Sequence, residues 1–191
     1  MKTIRVGVSG HRFLSDLDKL TTSLEKAYET LQKKFPNSCF QILSPLAEGA
    51  DRLAASIFLQ HSAELVAILP MPKEEYLYSF SSQESCNDFE TYLLKAGEII
   101  QLTSQPDHQL AYQALGLFLL ETCDILIIIW DGLSAQGNGG TGEIADEARR
   151  RNIPMIWIRA GNRLPGTHTA TSLGNEQGII EFENFSNLES N

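Results

Sequence analysis

Hydrophobic patterning predicts five buried strands separated by helices. The five short apolar runs, each bounded by turn-forming residues, are Ile4 to Ser9, Cys39 to Leu43, Leu65 to Leu69, Ile125 to Trp130 and Pro154 to Ile158. Runs that are apolar on both faces are typical of parallel strands, because helices cover both sides of a parallel sheet. Strands that alternate with helices indicate right-handed βαβ crossovers. We therefore predict a doubly wound α/β fold, in which a mainly parallel five-stranded sheet has the order 3-2-1-4-5.

Helical spacing of apolar residues predicts the layers on either side of this sheet. The first helix is expected to begin at Ser15, which would cap it, and to end before Pro36. A second helix should follow the loop SPLAEGADR. Two more are predicted at about 107–122 and 142–151. Helices on both faces complete a three-layer sandwich.

Two segments depart from the simple alternation. Residues 71–106 are polar and turn-like, with one predicted helix at about 88–96, and we interpret them as an insertion over the sheet edge. Beyond Ala160 the chain is rich in Gly, Asn, Thr and Ser, with a weak strand candidate at 179–182. We expect one domain over residues 1–160 and a C-terminal appendage or partly ordered tail over 161–191.

Composition favours a globular protein with a local ligand site. The 191 residues are 42% hydrophobic and 20% charged, which is ordinary for one domain with a full core. The net charge of −9 opposes binding of a polyanion over a broad surface, so we do not expect nucleic acid as a partner. Any phosphate recognition must therefore be local.

Cysteine, histidine and hydropathy patterns argue against several other classes. The three cysteines, Cys39, Cys86 and Cys123, show no CxxC spacing, so neither a disulfide framework nor a zinc site is predicted, and a cytoplasmic location is expected. The apolar stretch 114–130 is interrupted by Glu121 and Asp124 and is too short to span a bilayer. We expect no membrane association, no metal and no resident cofactor.

Three loops at predicted strand ends carry the residues suited to a ligand. Ligands of open α/β sheets bind outside the carboxyl ends of the strands. The first loop offers a serine, a glycine and two side chains that can reach an anion, and the second offers a glycine and two acids. The third is a glycine cluster that leads from a buried strand into a helix, where backbone N–H groups and the helix dipole favour anions. The candidate ligand-binding residues are Ser9, Gly10, His11, Arg12, Glu48, Gly49, Asp51, Asp131, Gly132, Gly139, Gly140, Thr141, Gly142 and Glu143.

Each loop also has a simpler interpretation. The first can be a surface turn with a solvated Arg12. Capping of the second helix is the more probable role of Glu48 and Asp51, taken alone, than catalysis. Asp131 can serve to stabilise its own loop, and the glycine cluster can be a flexible surface loop.

Taken together, VGVSGHR near the start, PLAEGADRLA after strand two, and DILIIIWDG with NGGTGE after strand four resemble the SLOG superfamily. This Rossmann-like group unites the DprA/Smf and Lonely-guy (LOG) proteins. The resemblance covers residues 4–158. It implies a nucleotide or nucleoside-derivative site lined by the first loop and the GGTGE segment, in a domain that often serves as a ligand sensor. DprA similarity also raises single-stranded DNA binding, which the charge disfavours.

The enzymatic LOG branch, whose members are phosphoribohydrolases, has the motif PGGxGTxxE and an arginine on the preceding helix. In NGGTGEIAD, Asn138 replaces the proline, Glu143 the threonine and Asp146 the catalytic glutamate, and the preceding helix has no arginine or lysine. We therefore favour ligand binding over turnover. The alternative is N-glycoside hydrolysis with Glu143 or Asp146 as the catalytic group. A third hypothesis is an interaction module without ligand, and relatives of this fold suggest a homodimer.

Overall fold

The computed structural model describes residues 2–133 and 140–187, and its centre is one seven-stranded sheet. The strands are β1 (Lys2–Gly10), β2 (Ser38–Ser44), β3 (Glu64–Leu69), β4 (Glu98–Gln101), β5 (Ile125–Trp130), β6 (Met155–Arg159) and β7 (Ile180–Glu183). Their order is β4-β3-β2-β1-β5-β6-β7. All neighbours are parallel except β7, which is antiparallel to β6.

The α/β class is confirmed, but the predicted sheet was incomplete. The five predicted strands keep their relative order, and one further strand adds to each edge. The short, half-polar strand β4 comes from the insertion, where its four residues gave no strand signal. The weak candidate at 179–182 is confirmed as β7, so the prediction of five strands in the order 3-2-1-4-5 is corrected to seven.

Within residues 2–133 and 140–187, six α-helices cover the sheet. They are α1 (Leu17–Lys34), α2 (Ala50–Gln60), α3 (Lys73–Leu77), α4 (Gln83–Lys95), α5 (His108–Thr122) and α6 (Thr141–Arg150). The alternation of β5 shows the two faces: Ile125, Ile127 and Ile129 pack into the core that contains α1 and α2. Leu126 and Ile128 point the other way, into the core beneath α6. Burial of every residue of β5 explains its continuous apolar run.

Two helices begin at residues other than the predicted ones, because the polar side chains near their starts make hydrogen bonds that the sequence pattern did not indicate. The predicted cap Ser15 is wrong: α1 begins at Leu17, after Asp16 in a left-handed conformation, and Ser15 Oγ donates to Thr171 O at 2.7 Å. The helix predicted at 88–96 begins earlier, because Ser82 caps it by accepting from Ser85 N at 3.1 Å. The start of α1 thus depends on a partner distant in sequence, and the start of α4 on a polar turn. The periodicity of apolar residues detects neither.

The C-terminal segment attaches to the sheet and to α1. Gln177 is 5% exposed, and its amide oxygen accepts from Gly161 N at 2.9 Å and Leu173 N at 3.1 Å. Its amide nitrogen donates to Ser15 O at 3.0 Å. Buried polar groups are stable when they are hydrogen-bonded in this way. One side chain thus ties the segment before β7 to the loop that precedes α1.

Candidate ligand site

The loops after β1 and β5 meet at the carboxyl edge of the sheet. Gly10 pairs with Ile129 in the sheet register, and His11 N donates to Ile129 O at 3.0 Å. The imidazole of His11 then lies beside Asp131: its Nε2 accepts from Asp131 N at 3.2 Å and is 3.3 Å from Asp131 Oδ2. The first and third predicted loops are therefore in direct contact.

His11 Nε2 is the acceptor of a backbone hydrogen bond in this contact. Its side chain is about 10% exposed, and this burial lowers its pKa, although the charge and hydrogen bond of Asp131 act in the opposite direction. Since Nε2 accepts a backbone N–H, the ring proton of the neutral form belongs on Nδ1. Asp131 Oδ1 accepts from Leu133 N at 3.0 Å, so this carboxylate also stabilises its own turn.

Packing accounts for the glycines of the first two loops. A Cβ on Gly10 would lie 2.5 Å from both Ala50 Cβ and Ile129 O. Gly49 has φ +78°, and a Cβ there would lie 2.4 Å from Arg12 O. Ala50 N donates to His11 O at 3.0 Å, so the two loops share a backbone contact. Ser9, just before, is buried. Ligand contact by Ser9, Gly10 and Gly49 stays a prediction.

Helix α6 begins where the glycine cluster ends. Gly140 is its N-cap residue, and within the described residues no side chain caps it; Gly140 O accepts from Glu143 N at 3.0 Å. Thr141 is half-buried and Gly142 is buried. The predicted contact by Gly139 lies outside the described residues. The amino-terminal turn of α6 therefore retains the polarity that favours an anion.

The turn after β5 has a rigid support. Gly132 has φ +84°, and a Cβ there would lie 3.0 Å from the ring of Trp157. Trp130 is 4% exposed, and its Nε1 donates to Leu133 O at 3.0 Å. Because its ring is covered, Trp130 cannot stack on a ligand base. Ligand contact by Gly132 is not tested by this packing and stays a prediction.

A groove of about 410 Å³ runs between α5 and α6, which pack against each other at Gly116 and Ile144. Its volume is in the range of small-molecule sites. Both acids proposed for catalysis line it, together with one cation, Arg150, which forms an ion pair with Glu147. The full lining is Gln113, Gly116, Leu117, Leu120, Glu143, Ile144, Asp146, Glu147 and Arg150. Arg150 lies in the last turn of α6, whereas Glu143 lies in the first.

Arg12 and Glu48 bind the insertion. Arg12 Nη1 donates to Ser79 O at 3.0 Å, and its Nη2 donates to Tyr112 Oη at 3.3 Å. Glu48 Oε1 accepts from Ser81 N at 2.9 Å and from Ser81 Oγ at 2.5 Å. Burial would raise the pKa of Glu48, but hydrogen bonds from serines and the charge of Arg12 lower it overall. Both side chains fasten the turn before α4.

Capping of α2 by Glu48 or Asp51 was a wrong prediction. The N-cap residue is Gly49, and in the described part of the chain no side chain caps this helix. Asp51 is 5% exposed and reaches back, so that its Oδ2 accepts from Ala47 N at 3.2 Å. Burial raises the pKa of Asp51 to about 7, against the lowering effects of this hydrogen bond and of Arg12 and Arg52.

Several polar residues near Asp51 were not predicted from the sequence to belong to a site. Arg52 donates from Nε to Leu46 O at 2.9 Å and from Nη1 to Ser85 Oγ at 2.9 Å. Tyr76 is fully buried on α3, a helix that was not predicted. These residues come from elements far apart along the chain, so no local motif connects them. The available sequence signal was the presence of aromatic residues, Tyr76 among them, in a largely polar insertion.

Two expected absences concern the described residues alone. Among residues 2–133 and 140–187, no group of three or more His, Cys, Asp and Glu side chains is arranged to hold a metal ion. The same ranges contain no helix long and apolar enough to cross a membrane.

The sheet order and the position of the loops define a Rossmann-like α/β protein with a candidate site at the carboxyl ends of its strands. No family model matches the chain, and no curated protein matches it. Among solved structures, it is similar to DNA processing protein A (DprA) from Streptococcus pneumoniae, with 17% identity and a TM-score of 0.53 over 86% of this chain. It is also similar to TM1055, with 17% identity and a TM-score of 0.49 over 81% of this chain and 72% of that one.

The likeness to DprA confirms the expected relation at the level of the fold. This chain spans about half of the DprA chain, 51%, so activities of the whole DprA protein do not follow from the match. The Rossmann-like fold implied by the SLOG resemblance is therefore shown, and ligand and reaction are matters for proposal.

Proposed function

We propose that this protein binds a nucleotide or nucleoside-derived ligand at the carboxyl ends of β1 and β5. The observation that carries the proposal is that the first turn of α6 borders the groove of about 410 Å³, with Glu143 in both. Helix amino termini favour phosphate through unpaired N–H groups and the helix dipole. The groove has the volume of a small organic ligand, and we place the phosphate at the helix start, because the groove lining carries three acids and one arginine.

The neighbouring groups suit the rest of such a ligand. Asp131 lies in the loop that leads toward α6 and is partly exposed at about 12%, and carboxylates accept hydrogen bonds from ribose hydroxyls. Thr141 adds a hydroxyl at the first position of α6. The net charge of −9 restricts phosphate recognition to such a local site, and so we do not propose nucleic acid as the ligand.

A panel of ligands tests the binding proposal. Thermal unfolding is measured with nucleoside monophosphates, the free nucleosides and ribose 5-phosphate. We expect the melting temperature to rise with nucleotide concentration, as linkage requires for a ligand of the folded state. Asp131→Asn and Thr141→Ala should weaken this shift. The matched control, Glu98→Gln, lies on β4 at the far edge of the sheet and should leave it unchanged. A panel without any shift, with Gly140→Ala tolerated, would indicate the interaction module.

The second candidate is N-glycoside hydrolysis in the same groove. It is favoured by one observation, the presence of Glu143 and Asp146 beside Arg150 in the groove lining. A carboxylate can activate water or stabilise an oxocarbenium ion, and a guanidinium can neutralise phosphate. Asp146 Oδ1 also lies 3.3 Å from Arg149 Nη1.

Chromatography separates binding from turnover. The protein is incubated with each monophosphate, and free base is measured over time. Base release that disappears in both Glu143→Ala and Asp146→Ala would establish the hydrolase. Thermal stabilisation by a nucleotide without base release would establish the ligand-binding function alone.

A further inference from the structure

A second polar cluster lies beneath the insertion, on the side of the sheet that carries β2 and β3. We call it the arginine cluster and define it by Arg12, Asp51, Arg52, Tyr76 and Ser79. Arg12 follows β1, Asp51 and Arg52 begin α2, and the other two belong to α3 and the turn behind it. The hydroxyl of Tyr76 lies within the electrostatic influence of Asp51, Arg12 and Arg52, so these groups form one assembly.

Both arginines of the arginine cluster bind neutral oxygens. Arg12 donates to a carbonyl and a phenol, and Arg52 donates to a carbonyl and a serine hydroxyl. Among the described residues, neither guanidinium has a carboxylate within ion-pair distance. The Arg52 guanidinium also lies over the ring of Phe80, at 4.7 Å from its centroid. Two partly buried cations are thus held without a direct counter-ion.

Three buried polar atoms in the described ranges have no hydrogen-bond partner, and all three belong to this cluster. They are Arg52 Nη2, Tyr76 Oη and Ser79 Oγ. The Tyr76 side chain is fully buried, so its hydroxyl has no access to bulk solvent. All three atoms can donate a proton to an acceptor. Buried donors without partners are rare in folded proteins, and each calls for a bound group that accepts from it.

We propose that the arginine cluster binds a phosphate-class oxyanion, with Arg12 and Arg52 as charged donors and the hydroxyls of Tyr76 and Ser79 as neutral donors. Guanidinium groups bind tetrahedral oxyanions more strongly than carbonyls, because the hydrogen bonds are charge-assisted. The anion replaces the Ser79 carbonyl at Arg12. Of the proposed donors, Arg12 was also a candidate for the nucleotide site, whereas Arg52, Tyr76 and Ser79 were not, and no residue of α6 takes part.

Three carboxyl groups act on the two cations from beyond ion-pair distance, namely Glu48, Asp51 and Asp88. Burial raises the pKa of Asp51 to about 7, which brings its protonated, neutral form into the physiological range. Glu48 is held by Ser81, on the turn after Ser79. An entering anion displaces contacts of this turn, so we expect amide hydrogen exchange over residues 76–82 to change on binding.

The experiment measures stabilisation of the full chain by inorganic phosphate, compared with chloride at equal ionic strength. We expect a saturable rise in melting temperature with phosphate in the wild type. Arg52→Gln should weaken phosphate affinity at least tenfold, and Tyr76→Phe severalfold. The exposed control Lys33→Gln should leave it unchanged. Without phosphate, Tyr76→Phe should be at least as stable as the wild type, because it removes a buried hydroxyl that has no partner.

Two results would overturn the proposal. One is a phosphate response no larger than that of chloride, which would mean that buried water alone satisfies the three donors. The other is a phosphate affinity that Tyr76→Phe leaves unchanged. Competition separates the two sources of the anion: phosphate displaced by a nucleoside monophosphate indicates the nucleotide's own phosphoryl group, and independent binding indicates a free oxyanion. Loss of nucleotide binding in Thr141→Ala with phosphate binding intact would show that the two sites are separate.

Discussion

Replacing Asp51 by asparagine tests how burial controls a charge beneath the insertion. The carboxylate is 5% exposed, and its pKa rises from an ordinary 3.8 to about 7. The folded protein therefore keeps this proton up to about pH 7, whereas the unfolded chain releases it near pH 4. The stabilisation is complete at low pH and is lost as the pH rises toward 7. Three pKa units correspond to about 4 kcal/mol in total, of which roughly 2 to 3 kcal/mol falls between about pH 5 and pH 8.

The measurement is the free energy of unfolding by denaturant for both proteins across that pH range. Asparagine keeps an oxygen that can accept from Ala47 N, and it does not titrate. We expect the wild type to lose about 2 to 3 kcal/mol relative to Asp51→Asn as the pH rises from about 5 to 8. The exposed control Glu29→Gln should change by less than about 0.5 kcal/mol. A constant difference between wild type and Asp51→Asn would refute the reasoning.

Three other predictions address the site and its supports. Gly10→Ala should destabilise the fold by about 3 kcal/mol or more, because its Cβ meets Ala50 Cβ and Ile129 O at 2.5 Å. As a comparison, Gly166→Ala should lower the free energy of unfolding by about 1 kcal/mol, because a Cβ there meets no atom and only the φ of +74° disfavours alanine. If denaturant unfolding showed equal losses for Gly10→Ala and Gly166→Ala, the packing argument would be contradicted. Asp131→Asn should lower the pKa of His11 further, as followed by NMR titration of the ring; a rise would show that the carboxylate does not stabilise the imidazolium. Gln177→Leu should lower the free energy of unfolding by about 3 kcal/mol, because three backbone groups lose their partner, and a loss below about 1 kcal/mol would argue against these bonds.

Sequence patterns predicted the central strands because burial itself produces the pattern. β5 is apolar at every position, since both of its faces are covered. The edge strand β4 has only four residues, two of them apolar and two polar. So short and mixed a segment does not stand out from the turns around it. The helix α3 has five residues, which is shorter than the windows in which helical periodicity is measurable. Tertiary packing, rather than local propensity, determined these two elements.

The candidate site was predictable where it depends on strand ends. Parallel strands put their carboxyl ends on one edge, and so the approach of His11 to Asp131 follows from the order of β1 and β5. Partners of Arg12 and Glu48 were not predictable, because Ser79 and Ser81 lie in an insertion whose path depends on tertiary packing. The predicted capping roles of Glu48 and Asp51 were wrong for the same reason. Both side chains make hydrogen bonds to other backbone groups instead of capping α2, and the local sequence does not show those partners.

The antiparallel strand β7 has a consequence for self-association. It covers β6, whose core residue Met155 pairs with Glu183, and it presents acidic side chains at the outer border of the sheet. Arg149 and Arg159 hold Glu183 and Glu181 in place. Charged residues on an outermost strand discourage intermolecular strand addition and the growth of fibrils. Deletion of residues from 173 onward would uncover an apolar ladder, and the shortened protein would be expected to aggregate.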